Sequence, residues 1–186
     1  MRIIGGRMRG LGLAPVGEGD AAAHLRPTSD RVRESLFNLL EGGRLGRPVP
    51  GAIVLDLFAG TGALGLEALS RGADQIAFVE TGRPALKLLD ANIARARAAD
   101  LVRVLKRDAT RLGPVEGPAA TLVFLDPPYG KDLGQAALAS ADEGGWIAPG
   151  ALIAWEERSE QDAPAGFIRR DARRYGDTWL TFLERT

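Results

Sequence analysis

From residue 52 onward, short apolar runs alternate with longer stretches in which apolar residues recur every three or four positions. The runs at 52–57, 75–80, 101–105, 121–125 and 151–155 are partly β-branched and bounded by turn residues, so each predicts a buried strand. Helical spacing fills the intervals at 63–70, 83–98 and 133–141. Alternation of this kind predicts an α/β fold, a parallel sheet with helices on both faces. The end of the chain departs from it. Residues 167–174 and 178–183 are separated only by Tyr175-Gly176-Asp177, which predicts an antiparallel hairpin at one edge and makes seven strands in all.

Residues 1–28 read as an N-terminal extension and 29–186 as the main domain. Ile3-Ile4 and Leu11-Gly12-Leu13 flank a glycine-rich turn and predict a short hairpin, followed by a flexible stretch over 15–23. Ser29 or Asp30 can cap a helix in which Val32, Leu36, Phe37 and Leu40 recur at helical spacing, and Gly42-Gly43 ends it.

Composition narrows the chemistry. With 186 residues, 45% apolar and 26% charged, the chain has the profile of one globular domain. It has no cysteine, which excludes disulfides, thiolate metal sites and covalent cysteine adducts. No run approaches the length of about 18 apolar residues that a membrane helix needs. The first residues lack a signal-peptide pattern, so the expected location is cytoplasmic. Net charge is zero, but its distribution is uneven. Arg2, Arg7 and Arg9 occupy the first ten residues without an acid, and Arg169, Arg170, Arg173 and Arg174 cluster around Asp171. Either cluster can grip phosphates or simply be solvated.

The strand ending in Asp56-Leu57 runs into Phe58-Ala59-Gly60-Thr61-Gly62-Ala63-Leu64-Gly65, a glycine loop followed by a helix start. Its glycines let the backbone turn tightly and approach a ligand. The spacing fits G-x-G-x-x-G, so a dinucleotide and S-adenosylmethionine are both candidates, beside a tight turn with no ligand. Asp56 favours the second, because a carboxylate there repels a pyrophosphate and attracts the ammonium group of a methionine moiety. Glu80, followed by Thr81, ends the second strand where it can accept ribose hydroxyls. Asp108, followed by Ala109, ends the third where it can accept from an adenine amino group or cap a helix. Three acids at carboxyl ends of strands mark one crevice.

Leu122-Val123-Phe124-Leu125 leads directly into Asp126-Pro127-Pro128-Tyr129. Two prolines stiffen the loop and remove two backbone donors, leaving an acid, bare carbonyls and an aromatic ring at a strand end. That equipment suits methyl transfer to an exocyclic amine. Asp126 and the Pro127 carbonyl can each accept one N–H, directing the nitrogen lone pair at a methyl donor, while Tyr129 stacks on the base. No metal is required.

These motifs, together with Arg2-Ile3-Ile4-Gly5-Gly6, Arg9-Gly10, the stretch 25–38 and Tyr175-Gly176-Asp177-Thr178, resemble the bacterial 16S rRNA guanine-N2 methyltransferases of the RsmD type over nearly the whole length. The resemblance implies a Rossmann-like class I methyltransferase fold with an antiparallel last strand. It also implies S-adenosylmethionine as cofactor, S-adenosylhomocysteine as product and 16S rRNA of the small ribosomal subunit as partner, with the enzyme expected to be a monomer. The family often carries a second acid two residues after the position of Glu80, where this chain has Gly82. In that light Arg2, Arg7 and Arg9 on a mobile hairpin, with Arg26 and Arg33, are the expected RNA contacts. Arg31 and Arg33 cannot share one helical face, so at most one of them points at substrate. A DNA amino-methyltransferase shares both motifs but normally needs a recognition region for which these residues leave no room. A Rossmann oxidoreductase leaves residues 126–129 unexplained, and a non-catalytic RNA-binding module leaves the complete loop unexplained. His24, Trp146, Trp155, Trp179 and Asn92 read as loop or packing residues.

Overall fold

A computed structural model describes residues 1–15, 30–129 and 132–186. The expected boundary between residues 28 and 29, the stretch 16–29 with His24 and Arg26, and Gly130 lie outside the described residues.

After the N-terminal residues the chain runs through α1 (Asp30–Glu41), β1 (Ile53–Leu57), α2 (Ala63–Ser70), β2 (Gln75–Val79), α3 (Arg83–Ala96) and β3 (Val102–Leu105). It ends with β4 (Ala120–Leu125), α4 (Leu133–Glu143), β5 (Ile147–Glu157), β6 (Phe167–Tyr175) and β7 (Thr178–Arg185). Seven strands form one sheet in the order β3-β2-β1-β4-β5-β7-β6. β1 to β5 pair in parallel; β7 runs antiparallel to both β5 and β6. The order reverses between β1 and β4, and a crevice opens beyond the carboxyl ends of strands at such a switch point.

Every predicted strand and helix is present, with one instructive difference in extent. β5 starts at Ile147 rather than 151, because Ile147 pairs with Ala120 ahead of an irregularity at Pro149-Gly150, where Gly150 takes φ 76. A turn signal in sequence is therefore a bulge within a longer strand.

The sheet separates two apolar layers. On one face Val54, Phe78 and Phe124 meet Leu36, Phe37 and Leu40 of α1, Leu66 and Leu69 of α2, and Leu89 and Ile93 of α3. On the other, Leu55, Val123 and Trp155 meet Ala137, Leu138 and Ala141 of α4. Alternation along β1 puts Asp56 on the same face as Val54, under α2.

The N-terminal hairpin forms through an Arg2–Gly12 bridge and a 3₁₀ turn over Gly6–Met8. It is not a mobile arm. Ile3 and Leu13 belong to the first apolar layer. Glu67, fully buried in α2, accepts hydrogen bonds from the backbone N–H groups of Ile4 and Gly5, both at 2.8 Å, and from Arg71 Nε at 2.8 Å. Ser70 adds two more, accepting from Met8 N and donating to the Gly5 carbonyl.

Candidate active site

The loop between β1 and α2 is held by three polar side chains from three elements. Asp56 is 1% exposed and accepts from the Gly65 N–H at 3.0 Å, which ties the end of β1 to the first turn of α2. Glu80, just past β2, accepts from Gly60 N at 2.9 Å and from Thr81 N and Gly82 N at 2.7 and 2.6 Å. Asn92 of α3 is fully buried, donating to the Thr61 carbonyl at 2.9 Å and accepting from Ala14 N at 2.7 Å. Gly62 has φ 77, and a Cβ there would overlap Leu89. A Cβ on Gly65 would overlap the Phe78 ring and crowd Asp56. Phe58 adopts φ 61, a left-handed conformation that costs a non-glycine residue energy and clusters at functional sites.

Burial moves the Asp56 carboxyl from its ordinary 3.8 up to about 7; the Gly65 N–H opposes this and the negative charge of Glu80 adds to it. Such a carboxyl is poised to ionise when a cation arrives. Three backbone donors occupy most of the roughly four acceptor positions of Glu80, so its first task is to hold the loop. Asp108 follows β3 and caps a 3₁₀ turn over Ala109–Arg111, using one oxygen to accept from both Thr110 N and Thr110 Oγ1 at 2.8 Å. Its position as a cap was one of the two expected readings.

The Asp126–Tyr129 segment lies next to this loop. Leu57 pairs with Leu125, so the register sets Phe58 and Asp126 side by side at the carboxyl edge of β1 and β4. Asp126 is half-buried and Pro127 buried. The Tyr129 hydroxyl donates to Glu156 Oε1 at 2.9 Å and lies 3.4 Å from Thr178 Oγ1. Burial pushes that hydroxyl's pKa well up, the Thr178 bond opposes the shift, and Glu156 reinforces it, so Tyr129 stays a neutral donor. The Arg158 guanidinium stands 5.4 Å from the ring centroid. Glu156, 6% exposed at the end of β5, anchors the hydroxyl end of the ring, a role its sequence position did not reveal.

The expected RNA contacts divide. Arg2, Arg7 and Arg9 are exposed. Arg33 is not: it is fully buried, donating to the Arg2 carbonyl at 2.6 Å and to Asp30 at 2.9 Å, with Glu67 at 3.8 Å. It lies on the stripe of Leu36, Phe37 and Leu40 and secures the hairpin, so it cannot reach a surface ligand. Arg31, two positions away, is exposed.

The sequence model of the family described as conserved hypothetical protein 95 matches residues 1–184. Ribosomal RNA small subunit methyltransferase D of Escherichia coli strain K12 is 40% identical over 164 residues, spanning 88% of this chain and 78% of the relative. The solved structure of yhhF from Escherichia coli superposes with a TM-score of 0.81 at 35% identity, covering 100% of this chain and 97% of that one. An RNA methyltransferase from Salinibacter ruber, solved with S-adenosyl-L-homocysteine, shares the fold with a TM-score of 0.65 at 18% identity over 86% of this chain and 94% of its own. The chain therefore belongs to the conserved hypothetical protein 95 family, the family of the RsmD-type methyltransferases.

Proposed function

We propose that this protein transfers a methyl group from S-adenosylmethionine to the exocyclic N2 amine of a guanine in 16S rRNA, within the small ribosomal subunit or an assembly intermediate. The observation that carries the reading is the β1–β4 register, which sets Asp126 beside a glycine loop held by Asp56 and Glu80. The donor set fits the cofactor: Asp56 for an ammonium group, Glu80 for ribose hydroxyls and Asp108 for an adenine amine, with Phe58, Ala59, Gly60, Thr61, Gly62, Thr81 and Ala109 forming the surrounding backbone. When bound, S-adenosylmethionine supplies an electrophilic methyl group and leaves as S-adenosylhomocysteine.

The chain's own residues do the rest. Asp126 and the Pro127 carbonyl accept the two N–H bonds of the amine and draw its lone pair out of conjugation. Pro128 keeps the loop stiff, so this geometry exists before substrate arrives. As the new N–C bond forms, positive charge grows on nitrogen against the Asp126 carboxylate, which takes up the surplus proton. Tyr129, held by Glu156, stacks on the base from the side opposite Arg158. Small subunits from a strain lacking this gene, incubated with methyl-labelled cofactor, should gain one N2-methylguanine mapped to a single position. Methylation of duplex DNA in preference to these particles would overturn the reading.

A further inference from the structure

The arginine clusters at the two ends of the chain fare differently in the fold. At the C-terminal edge Arg169 pairs with Glu160, Arg170 with Glu184, and Arg173 with Asp171. That cluster is largely spent on ion pairs. At the other end Arg7 and Arg9 of the hairpin face Arg95 and Arg97 at the end of α3, across a shallow groove floored by Met8 and Leu11. All four arginines are exposed, and none makes an ion pair with a described residue. Arg95 donates to the Gly12 carbonyl and so ties the two walls together. Arg97 holds φ 50 as the cap of α3, which turns the chain there. The partial negative charge of a helix C-terminus accounts for Arg95, but not for two hairpin arginines facing it.

We propose that this groove is a second RNA contact, a seat for backbone phosphates separate from the Asp126 corner. The inference rests on the RNA substrate proposed above. Unpaired guanidinium groups converging from two rigid elements match the charge and fork geometry of phosphodiesters. The groove also sets the reach of the substrate. Asn92, one turn before Arg95 in α3, bonds to Thr61 of the glycine loop, so the groove and the loop are built on the same stretch of α3. An RNA that fills both the groove and the Asp126 corner has a backbone that continues beyond the target nucleotide.

The test uses the triple variant Arg7→Gln, Arg9→Gln, Arg97→Asn; asparagine tolerates the left-handed conformation at 97, and Arg95 keeps its structural bond. Binding to small subunits lacking the modification is measured from 50 to 300 mM salt. The slope of log Kd against log salt should become shallower by about two, roughly 0.7 for each phosphate no longer neutralised, with affinity falling at least tenfold near 0.15 M salt. Retained affinity for S-adenosylhomocysteine reports an intact fold. If the triple variant unfolds, Arg9→Gln and Arg97→Asn alone should each lower the slope by about 0.7. Parent-like affinity and slope in these variants overturn the proposal while leaving the methylation reading standing. A parent protein that does not bind the particles overturns both.

Discussion

Replacing Asp56 by asparagine tests whether the buried carboxyl is neutral in the ligand-free fold. Its pKa lies near 7 when folded, against 3.8 ordinarily. Between those values the folded protein holds a proton that the unfolded chain has released. The stabilisation is fully present below pH 3.8, and stability falls as pH rises through the window, by about 1.4 kcal/mol per unit, levelling above pH 7. Over about three units the total approaches 4 kcal/mol, a large share of the stability of an ordinary domain. Urea unfolding of the parent and Asp56→Asn at pH 5, 6, 7 and 8 isolates this group, because the amide does not titrate. The parent should lose about 2 to 3 kcal/mol relative to the variant between pH 5 and 7, and almost nothing from 7 to 8. A cofactor ammonium group against Asp56 reverses the preference, so binding of S-adenosylhomocysteine near pH 6 should release most of a proton in the parent and none in the variant. Calorimetry in two buffers of different ionisation heat reads that proton. A stability gap that stays flat from pH 5 to 8 would show Asp56 already ionised in the fold and refute the reasoning.

Asp126→Asn should lower kcat by about 10²- to 10³-fold in single-turnover methylation of small subunits, since it removes the charge facing the developing cation; a loss below threefold would remove Asp126 from the chemistry. Glu67→Ala leaves the Ile4 and Gly5 N–H groups unpaired and Arg33 and Arg71 without their shared carboxylate. The expected cost is about 3 to 5 kcal/mol, read by calorimetry as a melting point lower by roughly 10 °C or more. Asn92→Leu keeps the branched outline of the side chain but orphans the Ala14 N–H and the Thr61 carbonyl, so it should destabilise by about 2 to 4 kcal/mol and weaken binding of S-adenosylhomocysteine; unchanged cofactor affinity would show that the loop does not depend on this bridge.

The elements were legible because the periods differ. Strand runs of four to six residues and the helical spacing of α2 and α3 cannot be exchanged without exposing apolar faces. The glycine loop and Asp126–Tyr129 were legible because each residue's local chemistry is unusual. What stayed hidden depends on how the hairpin folds back. Glu67 sits in a helix with every residue buried, and an acid in a helix apolar on all sides must meet a partner, but no local pattern identifies the hairpin N–H groups as that partner. Arg33 carried a readable signal: it precedes Leu36, Phe37 and Leu40 by three, four and seven positions, the stripe that faces the core. Its charge argues for the surface and its position for the core, and in the fold position wins. Glu156 could not be found from sequence, since the register of β5 against β7 is what brings it to Tyr129 and Thr178.

These hidden residues tie the cofactor loop and the proposed arginine seat into one frame. Glu80 fixes Gly60, Asn92 fixes Thr61 and Asp56 fixes Gly65, so the cofactor loop has little freedom relative to β2, α3 and β1. The same Asn92 holds Ala14, and Glu67 and Ser70 hold the hairpin from its other end. Hairpin, α2, α3 and loop therefore behave as one body, in which Asn92 joins the loop to the wall of the arginine groove. Under the groove proposal, an RNA gripped at Arg7, Arg9 and Arg97 would be positioned relative to the loop by bonded geometry rather than by a flexible tether. Placement of a reacting nitrogen within a fraction of an ångström demands this rigidity, and a mobile N-terminal arm could not have supplied it.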